Sequence, residues 1–226
     1  MKVTRRSLLG SSAAATASYA AAQQGRGSAG RPNLVFIISD DHSYPDLSAL
    51  GSPVQTPILD RLVREGINFE NAFVSSAQCS PNRSSILTGC TPHTIGMSRL
   101  HCPMPDYEPT IVDQFKDAGY FTGAFRKVHM GASFDKRWNF YGTARDPFSK
   151  FFDALPAGKP FYLHVGFTDP HRPYRKGKYP VKHDAAKVTV PKWLPDSPEI
   201  RQDIADYYDA IARMDMETGQ VLDLLK

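Results

Sequence analysis

The run Leu34-Val35-Phe36-Ile37-Ile38 is continuously apolar and rich in β-branched residues, and it stops abruptly at Ser39-Asp40-Asp41-His42. Successive side chains of a strand point to opposite faces, so a run with no polar alternate needs cover on both sides. That is the pattern of a parallel-type strand buried between layers, with polar groups delivered at its carboxyl end. Two more apolar runs repeat it. Tyr120 to Phe125 leads into Arg126-Lys127-Val128-His129, and Phe161 to Phe167 leads into Thr168-Asp169-Pro170-His171-Arg172-Pro173.

Helical signals separate these runs. Thr56-Pro57 opens a helix with Ile58, Leu59, Leu62 and Val63 on one face and Gly66 as its stop. Ser80 suits an N-cap, Pro81 the first helical position and Gly89 the left-handed stop of a second, about two turns long. Pro109 to Ala118 reads as a third, closed by Gly119. Ser197-Pro198-Glu199 caps a last long helix whose apolar positions run from Ile200 to Val221. Residues 130–158 are expected to make a long surface excursion and residues 172–198 an extended loop. The alternation predicts an α/β fold, a mostly parallel sheet sandwiched by helices.

The N-terminus is of a different kind. Arg5-Arg6, a short weakly apolar stretch and Ala20-Ala21-Ala22 form a twin-arginine export signal, and its apolar part is too short to span a bilayer. Residues 1–22 are therefore expected as a signal peptide, residues 23–32 as a linker and residues 33–226 as the folded part. The expected partner is the twin-arginine (Tat) translocase, and the expected location is periplasmic or secreted. Removing the leader takes away Lys2, Arg5 and Arg6, so 27 Lys and Arg against 23 Asp and Glu become 24 against 23. The remainder is nearly neutral and has no basic run, which argues against a nucleic-acid partner. No later segment is apolar enough for a transmembrane helix. Three cysteines are too few for a disulfide scaffold, although Cys90 and Cys102 remain available to pair.

The chemistry collects at the strand ends, where open α/β sheets bind ligands. Adjacent carboxylates repel unless a cation or water intervenes, so Asp40 and Asp41 read as a divalent-metal site or as a solvated turn. Lys127 and His129 put a fixed cation and a titratable ring two residues apart, facing one pocket if that stretch is extended. His171, between prolines, has its backbone held extended and its ring aimed. Cys79 precedes the second helix, where free N–H groups and the dipole favour negative charge, and Arg83 points back toward the same spot. Such a cysteine is an activated nucleophile, the precursor of one, or an ordinary half-buried thiol.

In this order, Asn33-Leu34-Val35-Phe36-Ile37-Ile38-Ser39-Asp40-Asp41, the block from Cys79 to Gly89, Lys127-Val128-His129 and Phe167-Thr168-Asp169-Pro170-His171-Arg172 resemble the sulfatases of the alkaline-phosphatase-like superfamily. Within them, Asp169-Pro170-His171-Arg172 and Ala212-Arg213-Met214-Asp215 are most similar to the heparan N-sulfatase group. The resemblance implies conversion of Cys79 to formylglycine by the formylglycine-generating enzyme, and attack of its hydrate on sulfur. It implies a Ca²⁺, or Mg²⁺, held by Asp40, Asp41 and the modified Cys79. Arg83 would steady that residue, Lys127 and His129 would bind the sulfate or the hydrate, and His171 would serve the leaving-group side. The implied substrate is a sulfated carbohydrate. A phosphomonoester or phosphonate-ester hydrolase, or a non-catalytic chain binding sulfated glycan, remains the alternative.

Two departures from the family pattern are visible. Asn82 stands where the family signature has Ser or Ala. A later strand that supplies the family with an Asp-Asn pair and a further Lys does not occur before Lys226, so the chain is expected to be the N-terminal part of a longer enzyme with little activity alone.

Overall fold

All three apolar runs form strands, and they lie side by side. Strand β1 is Leu34–Ile38, β2 is Phe121–Arg126, a short β3 is Phe140–Gly142 and β4 is Phe161–Gly166. They make one parallel sheet in the order β1-β4-β2-β3. The computed structural model describes residues 30–174 and 181–226, so the export signal and nearly all of the linker lie outside the described residues. The unit Leu34–Lys226 holds every described strand and helix.

Period-two alternation lets each strand serve two cores. Val35, Ile37, Phe125, Phe161, Leu163 and Val165 face one side, where they pack with Phe148, Phe151 and with Tyr208, Ile211, Met214 and Val221 of the long helix. Phe36, Ala124 and Tyr162 face the other, with Leu87, Met97, Met104, Val112 and Trp138. Full burial of each such side chain contributes roughly 1.5–3 kcal/mol before the entropy of ordering is subtracted.

The helices are α1 Pro57–Glu65, α2 Cys79–Thr88, α3 Ile111–Asp117, α4 Ala132–Asp135, α5 Ser149–Ala154 and α6 Pro198–Asp223. Two expected starts move. Helix α2 begins at Cys79 with Gln78 as N-cap rather than Ser80, while Gly89 does close it in the left-handed region at φ 72°. Helix α3 begins after Thr110, which forms a capping box with Asp113.

Residues 130–158 are not a surface excursion. They contain α4, β3 and α5, and they bury Phe134, Trp138, Phe148 and Phe151. Phe151 lies flat on β2 because residue 123 is glycine; a Cβ there would sit 2.3 Å from the ring. The described part of 172–198 is loop with one 3₁₀ turn, Ala185–Lys187, as expected. Cys90 and Cys102 are free thiols, not a disulfide. Among the described residues no helix is long and apolar enough to cross a membrane.

Register aligns the strand ends. Ile38 of β1 and Arg126 of β2 both pair with Gly166 of β4, so three adjacent strands end flush. The residues after each therefore emerge on one edge.

Candidate active site

Four segments meet at that edge. Asp40 follows β1, Lys127 and His129 follow β2, Asp169 and His171 follow β4, and Cys79 starts α2. Backbone bonds stitch the strand ends together: Phe167 N–H donates to Ile38 O at 2.8 Å, Lys127 N–H to Gly166 O at 2.9 Å and Asp40 N–H to Asp169 O at 3.1 Å. Gly166 permits the closest approach. A Cβ there would lie 2.0 Å from Lys127 O and 3.1 Å from Arg83 Nη1.

Arg83 reaches from α2 across these ends. Its Nη1 donates to Lys127 O at 2.7 Å, its Nη2 donates to Ser39 O at 3.4 Å and lies 3.6 Å from Asp40 Oδ1. It is 3 % exposed, so it works as an internal brace as much as a ligand. Lys127 Nζ is paired with the other oxygen of Asp40. Burial would raise the Asp40 carboxyl, but Lys127 and Arg83 outweigh it and hold the group below its usual value.

Cys79 shows the reverse. Burial and the negative charge of Asp40 push its thiol up, against the pull of Lys127, and the thiol bonds to Asp40. Of the alternatives for Cys79, the helix-activated thiolate is the one these neighbours disfavour. Helix-mouth N–H groups favour an anion here, yet the carboxylate already supplies the negative charge, and a thiolate beside it is disfavoured.

Ligand atoms of Asp40, Cys79 and His171 lie within 4.8 Å of one another. Asp41 stands at the rim with its side chain 61 % exposed, 3.6 Å from His171 Nε2. His171 ends a turn, its N–H donating to Thr168 O at 2.9 Å. That turn is gripped by Arg213 of α6, whose guanidinium pairs with both oxygens of Asp169. His129 lies near Lys127 and turns one ring nitrogen to a third group. Its Nε2 lies 2.7 Å from Nδ1 of His101, and burial, then Lys127 and His101, press its basicity down.

Backbone conformation marks the same edge. Asp41, His101, Arg126 and His129 are the non-glycine residues in the left-handed region among those described, at φ 60° to 67°. Such conformations are held by their surroundings and gather at functional sites. The open cleft beside Cys79, ≈ 440 Å³, is lined by Asp40, Asp41, His42, Gln78, Asn82 and Ile86 among others. Reasoning from the sequence missed His101, which sits in a loop with no periodic signal, and the Arg213 grip, 44 residues from its partner.

The profile of the family described as Sulfatase matches residues 32–157 and 143–226 of the chain. Human N-sulphoglucosamine sulphohydrolase is 29% identical over 238 residues, covering 86% of this chain and 47% of that protein. An arylsulfatase of Hemicentrotus pulcherrimus is 33% identical over 162 residues, covering 64% and 29%. The crystal structure of the phosphonate monoester hydrolase of Agrobacterium radiobacter superposes with a TM-score of 0.71 at 16% identity, covering 86% of this chain and 59% of that one. The chain thus spans less than half of either curated relative's length.

Proposed function

The chain belongs to the sulfatase family, and on that premise we propose that its strand-end cleft is the nucleophile and metal side of a site hydrolysing sulfuric esters or sulfamates of sugars. One observation carries the reading: Cys79 opens α2 with its thiol against Asp40 and its charge neighbours Arg83 and Lys127. On the sulfatase reading, Cys79 is the precursor of formylglycine. The hydrated aldehyde would supply an oxygen nucleophile directed at sulfur.

The donors present suit a hard divalent cation, Ca²⁺ or Mg²⁺: Asp40 is buried and held anionic, and Asp41 stands beside it. When bound, the cation would supply Lewis-acid polarisation of a sulfate oxygen. The other groups act through their own charges. Arg83 keeps the ends of β1 and β2 together and places a positive charge beside residue 79. Lys127, 17 % exposed and paired with Asp40, offers a cation that an anionic substrate can share. His129, with its Nε2 bonded to His101, adds a ring close to Lys127. His171, at the cleft rim near Asp41, is placed to serve a departing oxygen or nitrogen.

A glucosamine N-sulfate is the substrate suggested by the human relative's name. Export through the twin-arginine route to the periplasm or beyond fits Arg5-Arg6. Mass spectrometry of the Cys79 peptide after co-expression with the formylglycine-generating enzyme tests the core of the reading. The aldehyde mass is expected; an unmodified thiol, with Asn82 in the recognition stretch, would sink it. A second reading, phosphonate or phosphate ester hydrolysis, is favoured by the fold likeness to the phosphonate hydrolase. Relative turnover of aryl sulfate and aryl phosphate separates the two, and preference for sulfate is expected.

A further inference from the structure

His101 lies on the loop between α2 and α3, and three bonds fix where it stands. Its backbone N–H donates at 2.8 Å to Oγ of Ser80, a fully buried residue adjoining Cys79. Its Nδ1 meets His129 Nε2 at 2.7 Å, with ring centroids 4.8 Å apart and planes at 52°. Beyond His101 the loop is tied again near the end of β2, where Met104 N–H donates to Met130 O at 2.8 Å. Both histidines hold left-handed backbone, at φ 61° and 67°, which for a residue with a Cβ needs support from its surroundings.

A bond between two ring nitrogens holds one proton: one nitrogen donates and the other accepts. Two donors facing each other at 2.7 Å would repel, so the contact excludes the state in which both rings are fully protonated. The far nitrogen of His129, Nδ1, is buried with no protein partner among the described residues. His101 is thus the group that decides which nitrogen of His129 carries its proton, because in an imidazole the bond made by one nitrogen sets the state of the other.

We propose that His101 is a positioning residue that fixes the ring orientation and tautomer of His129 beside the Cys79 helix. The part of this that concerns turnover rests on the sulfatase reading; the ring geometry does not. His101 is exposed at the rim, and its anchor on Ser80 ties the His129 ring to the same helix turn that carries Cys79.

The test compares ¹⁵N-histidine-labelled wild type with His101→Gly and His101→Asn. Glycine removes the ring without strain at φ 61°, and asparagine tolerates the same backbone while keeping a polar atom near Nδ1. In the wild type, nitrogen spectra should show His129 in a single tautomer with a hydrogen-bonded Nε2. In His101→Gly the signals should shift to a tautomer mixture, and kcat for an aryl sulfate should fall about ten- to hundredfold, as when a functional imidazole loses its outer partner. KM should change by less than about twofold, since ground-state binding is untouched. His101→Asn should recover most of both signals and rate. Unchanged His129 signals in His101→Gly would overturn the proposal, as would equal losses in both variants accompanied by equal drops in melting temperature. If Cys79 stays unconverted after co-expression with the formylglycine-generating enzyme while the ring signals respond as expected, the sulfatase reading fails and the positioning role stands.

Discussion

Asp40 and Asp215 are both buried carboxylates, 5 % and 2 % exposed, and they are neutralised in opposite ways. Asp40 faces Lys127 and Arg83 at the end of the sheet, and these charges overcome the burial that would raise it. Asp215 lies on α6 and accepts Ile58 N–H at 3.1 Å and Leu59 N–H at 2.7 Å, capping α1 from a distant part of the chain. Burial dominates there and holds the Asp215 carboxyl above its usual value despite both bonds. Backbone donors at a helix start are fixed in number and direction, so Asp215 joins two helices. Side-chain cations at an open cleft can be traded for a metal ion or a substrate anion, so Asp40 belongs to a site.

The largest expected effect separates the two on function. Asp40→Asn should lower turnover of an aryl sulfate by about two to three orders of magnitude, and should abolish the rise in melting temperature on adding Ca²⁺. Asp215→Asn should leave that Ca²⁺ response intact, measured by calorimetry on both variants. Equal responses would erase the distinction.

Next comes stability. Asp215→Ala strands two helix-start N–H groups and should cost about 2–3 kcal/mol in urea unfolding, with conversion of Cys79 unaffected.

His164 extends the comparison to a buried base, where the charge of Arg83 adds to burial instead of opposing it. It sits inside β4 against Phe36 and Trp138, its Nε2 has no protein partner among the described residues, and burial, with Arg83 adding to it, presses its pKa down from 6.5 to about 3. The unfolded chain binds a proton below pH 6.5 that the folded ring refuses, so stability should fall as pH drops through that window toward about 3. The slope should approach but not exceed about 1.4 kcal/mol per pH unit. His164→Phe should flatten this acid limb, at a neutral-pH cost set by the buried Tyr162 hydroxyl, which loses its 3.5 Å contact with Nδ1. A limb equally steep in the variant would place the sensitivity elsewhere.

The smallest effect belongs to a cap supplied locally. Thr110→Ala opens the capping box of α3 and should cost about 1 kcal/mol. A loss as large as that of Asp215→Ala would show that distance along the chain makes no difference to a cap.

Much of the site was legible because each strand run ended at a sharp change from apolar to polar. Asp40, Lys127, His129 and His171 all emerge where that change predicts, and Cys79 and Arg83 sit on the helix that Pro81 and Gly89 announce. The segment 130–158 was illegible because its elements are four, three and six residues long, too short for a period to register. What orders them is aromatic contact: Phe125 against Phe140 and Phe148, and Phe151 against Phe121 and Phe161. Ser80 looked like a cap, but its hydroxyl takes the N–H of His101, a partner 21 residues away.

By itself the sequence determined strands β1, β2 and β4, their polar ends and the helix-mouth cysteine, since period, apolar runs and cap residues are local properties of the chain. Only the tertiary structure decided the electrostatic state of those residues. It set Lys127 and Arg83 against Asp40, raised the Cys79 thiol instead of activating it, paired His129 with His101 and gripped the His171 turn through Arg213. Charges and ring protons respond to whatever lies within a few ångströms, and those neighbours come from segments far apart in the chain.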